Sequence, residues 1–142
     1  MRVMFLEPRN NLELYLPKLE QLIETLIKSY GADSFYFSEA TRFAWEVQRV
    51  LEKLKEKYPF CDLCYVVTEN SDIPKKKDER TFPRYVYLPA LSAFGVRDMI
   101  LLRGVWMIDN CDIVVLYPEQ DQMAEPSFRK YVYEKGKTVV MA

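Results

Sequence analysis

Glutamates and arginines that fall close together are the residues of this chain best suited to chemistry. Glu7 is followed by Arg9 and Asn10, and Ser38 and Glu39 by Thr41 and Arg42. In such a grouping the carboxylate suits a general base or nucleophile, and the guanidinium suits an anionic group such as a phosphate. Glu119, Asp121 and Glu125 form a third acidic group, and Arg97 and Arg103 add positive charge. Other motifs read as structural. Cys61 and Cys64 make a C-x-x-C, but Cys111 is the one further cysteine and there is no histidine. Structural zinc takes four ligands, so no metal is expected. A redox C-x-x-C puts its first cysteine at a helix N-terminus, whereas these two flank the entry to a strand, so ordinary buried thiols are expected. Asp109 and Asp112, with Asn110, lead into an apolar strand and suit a capping or turn role. Lys75, Lys76 and Lys77 lie beside Asp72, Asp78 and Glu79, which cancel their field and leave a solvated loop.

What the composition lacks narrows the chemistry further. Without histidine, triads, proton shuttles and metal sites that need imidazole are excluded. The four glycines, Gly31, Gly95, Gly104 and Gly136, are scattered, whereas a phosphate-cradling loop clusters them. The 20 Lys+Arg and 21 Asp+Glu leave a net charge of −1, so a nucleic-acid partner is not expected. No apolar run reaches the roughly 18 to 20 residues that span a bilayer. The opening MRVMFLEPRN turns polar too soon for a signal peptide, so no membrane association and a cytoplasmic location are expected. No cofactor is expected.

The elements that must position these residues alternate between two periods. Val3 to Leu6, Ser34 to Phe37, Leu63 to Val67, Arg84 to Leu88, Ile113 to Tyr117 and Thr138 to Met141 read as strands. A helix is expected from Pro17, with Leu19, Leu22, Ile23, Leu26, Ile27 and Tyr30 on one face and Gly31 as its C-terminal cap. A second carries Ala40, Phe43, Ala44, Val47, Val50, Leu51 and Leu54, with Glu39 at its start and Pro59 past its end. A third runs from about Val96 to Ile108, and a fourth opens at Pro126 and ends at Gly136. Tyr65, Tyr85, Tyr117, Trp45 and Trp106 fall at positions expected to pack in the core. The 142 residues suit one domain, spanning 1–142, and the alternation predicts an α/β fold. That fold is a three-layer Rossmann-like sandwich with a mostly parallel sheet, Ile113 to Tyr117 inside it and Val3 to Leu6 alongside.

Sheets of this kind bind ligands outside the carboxyl ends of their strands, where the strand order reverses. The mouth is then expected from loops 7–10, 38–42 and 118–121 and from the start of the Val96 helix. Its ligand-binding candidates are Arg9, Asn10, Ser38, Glu39, Thr41, Arg42, Arg97, Arg103 and Glu119, with Glu7 and Glu39 as catalytic candidates.

Four stretches carry a family resemblance. Phe5-Leu6-Glu7-Pro8-Arg9 lies where a strand and a Thr-Gly-His-Arg turn would fall. FSEATRFAWEVQRVLEKLKEKYP, residues 37–59, looks like a glycine turn and a helix ending in Lys-Glu-Tyr-Pro. RGVWMIDNCDIVV, residues 103–115, is similar to an Arg-Asn-x-x-Met-Val-Asp-x-Ser-Asp run before a central strand, and YVYEKGKTVVMA matches a last helix and strand. In these the chain resembles the YpsA-like branch of the SLOG superfamily, Rossmann-like relatives of DprA and the Lonely Guy phosphoribohydrolases. The resemblance implies the same fold and a nucleotide site. The chain departs from the family at the functional turns: Gly-Ala-Leu-Gly-Phe-Asp reads Glu39-Ala40-Thr41-Arg42-Phe43-Ala44, and Gly-Gly-Thr falls at about Met123-Ala124-Glu125. A degenerate nucleotide site is the consequence.

Three functions from different classes follow. The first is a non-catalytic ligand-binding or regulatory domain for a small nucleotide-like ligand. The second is a nucleotide- or nucleoside-processing hydrolase using Glu39 or Glu7, with Arg9 or Arg42 on the phosphate. The third is an interaction module that forms a homodimer through an apolar patch at Tyr85, Tyr87, Leu88, Leu91 and Phe94.

Overall fold

The structure, a computed structural model, describes residues 1–68, 83–122 and 126–142. The lysine run and Met123, Ala124 and Glu125 lie outside the described residues. Six strands, β1 (Arg2–Leu6), β2 (Ser34–Phe37), β3 (Asp62–Val67), β4 (Arg84–Tyr87), β5 (Ile113–Leu116) and β6 (Thr138–Met141), form one sheet. Its order is β4-β3-β2-β1-β5-β6, and every neighbouring pair is parallel. β1 and β5 are adjacent interior strands, in register from Val3 opposite Ile113 to Leu6 opposite Leu116. The expected strands thus form the expected sheet.

The period of two divides each strand between two cores. Val3, Phe5, Phe35, Phe37, Leu63, Tyr65, Ile113, Val115 and Tyr117 face one side of the sheet. There they meet α2 (Leu19–Tyr30) and α3 (Arg42–Leu54) through Leu19, Ile23, Leu26, Phe43, Val47 and Leu51. Met4, Leu6, Tyr36, Cys64, Val66, Val114 and Leu116 face the other side. They are covered by α4 (Val96–Asn110) and α5 (Pro126–Glu134) through Met107, Ile108 and Val132. Each Leu, Val or Phe fully withdrawn from water contributes about 1.5–3 kcal/mol, so both layers are held chiefly by these stripes.

Several local expectations are corrected. The helix expected from Pro17 starts earlier: α1 (Leu12–Tyr15) leads through a tight 3₁₀ turn, Leu16–Lys18, into α2. Leu12, Tyr15 and Leu16 pack against the core, so the apolar stripe extends toward the N-terminus past the proline. Asn11, in the left-handed region at φ 59°, sets the entry. At the far end Gly31, at φ 72°, closes α2 as a left-handed cap, a conformation glycine adopts without a Cβ penalty. Glu39 does not start α3. Thr41 is the N-cap, its hydroxyl accepting the Ala44 N–H at 3.1 Å. Trp45 is 59% exposed because it lies off the Phe43–Val47–Leu51 stripe, and Tyr85 lies on an edge strand and is also exposed.

The three cysteines are buried free thiols. Burial pushes Cys61 up to about 11 and Cys111 up to about 12, which leaves both unreactive. At the end of the sheet where the strands begin, Asp112 accepts the Arg2 N–H at 2.8 Å and Asp109 accepts the Tyr131 hydroxyl at 2.7 Å. Asp109 and Asn110 lie in the last turn of α4 rather than in the expected turn, and the two carboxylates brace the fold by tying separate elements instead of capping one. No helix among the described residues is long and apolar enough to cross a membrane.

Candidate functional site

The helices that follow β1 and β5 lie on opposite faces of the sheet, so the strand order reverses between these two strands. A ligand crevice would normally open there. In this chain the crevice is tied across. The backbone N–H groups of Arg9 and Asn10 donate to the Asp121 carbonyl, and Pro8 forms a β-bridge with Gln122. The buried Asp121 carboxylate accepts Asn11 Nδ2 at 2.8 Å and the Tyr15 hydroxyl. That hydrogen bond, with help from burial and from the Asp121 charge, holds the Tyr15 phenol above the ordinary tyrosine value. Arg129 adds a hydrogen bond to the Tyr117 carbonyl at 2.7 Å and one to Gln122 Oε1 at 2.9 Å.

A cavity opens beside this tie, over the carboxyl ends of β1 and β2 and under α4. Its volume is about 470 Å³, within the range of small-molecule sites. Met4, Leu6, Tyr36, Met107 and Phe128 give it apolar walls, and Ile100 stands at its edge. Its polar groups are Glu7, Arg9, Ser38, Glu39 and Arg103. Of the residues expected from sequence, these five are brought together. The others are placed elsewhere. Thr41 sits one layer back, donating its hydroxyl proton to Glu7 while it caps α3. Asn10 is exposed, its amide 3.2 Å from the Gln120 carbonyl. Arg42 is exposed at the first residue of α3, and Arg97 at the start of α4. Glu119 is exposed, 3.8 Å from Arg129.

Two charged groups of this cavity are perturbed. Burial pushes the Glu7 carboxyl up to about 7, against the Thr41 hydrogen bond and with help from the negative charge of Glu39. Near neutral pH Glu7 is therefore divided between its neutral and ionised forms. Arg103 occupies the middle of a buried i, i+4 stripe, Met99–Arg103–Met107, on the inner face of α4. Desolvation lowers its pKa and Glu39 acts against that, with Arg103 Nη2 3.6 Å from Glu39 Oε1.

Neither a protein-family model nor a curated protein matches this chain. What the site does therefore has to be read from its own geometry. Among the described residues no group of three or more His, Cys, Asp or Glu side chains could hold a metal ion. Phosphate could not be gripped by a glycine-rich backbone turn either, because residues 38–42 all carry side chains. An anion in this cavity would rely on guanidinium groups.

Sequence reading missed the walls. Gly104 is the telling one. A Cβ there would come within 2.4 Å of the Phe128 ring, so the missing side chain lets α5 lay Phe128 against α4 at the cavity. A glycine inside a helix costs about 1 kcal/mol relative to alanine, and that cost was the available signal of a close approach.

Proposed function

We propose that this domain binds a small nucleotide-like ligand, one with a planar apolar body and an anionic group, and performs no chemistry of its own. The observation that carries the reading is the buried Arg103 guanidinium at the wall of an otherwise largely apolar cavity. Withdrawing an arginine from water costs several kcal/mol, and a fold that needed only packing there would place a third apolar residue between Met99 and Met107. Opening onto a cavity gives that charge a use: orienting an anion through a forked pair of hydrogen bonds. The resemblance to the SLOG superfamily supports the same class of ligand. The loss of the glycine turns supports modest affinity and a binding or regulatory role.

Calorimetric titration with AMP, ADP-ribose and NAD tests the reading. We expect affinity no tighter than micromolar for at least one of them, reduced more than about tenfold by Arg103→Met and less by Arg103→Lys. Sub-micromolar affinity unchanged in both variants would place the site elsewhere. A carboxyl titrating near neutrality favours a second reading, a hydrolase with Glu7 as general base or nucleophile. Product analysis of the same titration mixtures separates turnover from binding.

A homodimer is a further proposal, supported by exposed apolar side chains: Phe94, Val96 and Ile100 of α4 and its approach, and Tyr87 on the edge strand β4. Leu88 and Leu91 are half-buried, so the surface is displaced toward α4. Light scattering at tens of micromolar should give a dimer that Phe94→Glu with Val96→Glu converts to a folded monomer. A wild-type monomer ends this proposal.

A further inference from the structure

The two members of the Arg103–Glu39 pair are very unequally placed. The Arg103 side chain is 6% exposed and is held in the buried stripe of α4, whereas the Glu39 side chain is 54% exposed on the loop between β2 and α3. Their closest approach, 3.6 Å, exceeds the roughly 2.7–2.9 Å of a charge-assisted hydrogen bond. Thr41, not Glu39, caps α3, so the helix does not depend on the Glu39 carboxylate. Both residues line the same cavity. An arginine held in place and a loosely associated, half-solvated carboxylate in front of it make a contact in which one partner is easily exchanged.

We propose that Glu39 is a built-in competing anion: it neutralises Arg103 in the empty cavity and gives up its place to the anionic group of the ligand. The inference rests on the ligand-binding reading given above and assigns Glu39 the opposite role to a ligand contact. Exchange conserves the charge beside the buried guanidinium, so Arg103 never faces the apolar cavity without a counter-ion. Glu39 swings into water, where a carboxylate is well solvated, and the vacated mouth keeps Arg9 at its rim. Glu7, whose carboxyl burial pushes up to about 7, carries less than a full negative charge against the incoming group near neutral pH. Selectivity follows from the exchange. A neutral molecule of the same shape cannot replace Glu39 at Arg103 and gains nothing from its departure, whereas a phosphate or carboxylate can.

The test compares AMP with adenosine on the full chain, in wild type and in Glu39→Gln, by calorimetry at low salt. Removing the competitor should tighten AMP about three- to tenfold, the scale of a partly exposed ion pair, and leave adenosine unchanged. High salt should shrink the difference. Equal AMP affinity in the two proteins overturns the competitor role while the cavity reading stands. Weaker AMP binding in Glu39→Gln also overturns it, making Glu39 a contact to the ligand. Failure of both molecules to bind either protein removes the cavity reading and this inference with it. Glu39→Asp separates charge from shape: a shorter carboxylate that still competes should fall between the other two, and tightening equal to that of Glu39→Gln would overturn the exchange.

Discussion

Two regions at the same end of the sheet solve opposite problems. Between β1 and β5, Asp121 draws Arg9, Asn10, Asn11 and Tyr15 onto one residue and ties the loops together. Over β1 and β2, a few ångströms further along the sheet, Glu7 is forced toward its neutral form and Arg103 is desolvated beside an open cavity. In the first region a buried charge is surrounded by donors, and the result is closure. In the second, Glu7 accepts from the Thr41 hydroxyl and Arg103 lies 3.6 Å from Glu39, yet both stay desolvated, and the result is an open space lined by incompletely compensated charge. Strain of that kind is typical of binding sites, since a group fully satisfied by the protein has nothing left for a ligand.

The contrast breaks most visibly at the tie. Asp121→Ala removes the acceptor of two side-chain hydrogen bonds and leaves the half-buried Tyr15 hydroxyl unpaired. We expect a loss of about 3 kcal/mol in chemical denaturation, since each hydrogen bond to a charged group contributes about 1.5–3 kcal/mol and Asn11 is partly solvated. A loss below about 1 kcal/mol would mean that the tie does not hold the loops.

Glu7→Gln should act in the other direction. Because the native chain holds the Glu7 proton more tightly than the unfolded chain does, wild-type stability falls as pH rises from about 4.5 to about 7 and levels off beyond. Glutamine keeps the shape without the charge. The variant should therefore exceed wild type by about 3 kcal/mol at pH 8, with the gap closing as pH falls below the usual carboxyl range. Denaturation at pH 4.5, 6 and 8 reads this directly. A variant less stable than wild type at pH 8 would show Glu7 ionised and well partnered, and would erase the contrast with Asp121.

The smallest effect on stability is expected at the wall. Gly104→Ala gains about 1 kcal/mol of helix propensity and spends a similar amount on displacing the Phe128 ring, so the net change should stay within about 1 kcal/mol. The displaced ring narrows the cavity, and AMP affinity should fall while thermal unfolding barely moves. Unchanged affinity would show that Phe128 is not a wall of the occupied site.

Much of the fold was legible because its signals are local. The unbroken apolar runs Val3 to Leu6 and Ile113 to Leu116 mark strands buried on both faces, and the i, i+3, i+4 stripe of Leu19 to Ile27 declares which side of the helix is buried, whatever it packs against. The site was only partly legible. Glu7, Arg9, Ser38, Glu39 and Arg103 stood out as charged or polar residues at the ends of strands or in the Val96 helix. Thr41, Asn10, Arg42, Arg97 and Glu119 stood out on the same grounds and lie outside the cavity, because nearness to a strand end does not say which way a loop folds or which side of a helix faces the cavity.

What the amino-acid order determined by itself was therefore the set of elements, their buried faces and a parallel α/β arrangement, since periodicity and handedness act over a few residues or one crossover. Only the tertiary structure decided which crevice stays open. Asn11 and Asp121 are 110 residues apart and Tyr15 and Asp121 are 106 apart, and no pattern along the chain links them. Arg103 and Glu39 meet across two different elements, and Gly104 makes room for Phe128 on a third. These contacts depend on the final separation of packed surfaces to within an ångström or so, a quantity that exists only once both cores have closed on the sheet.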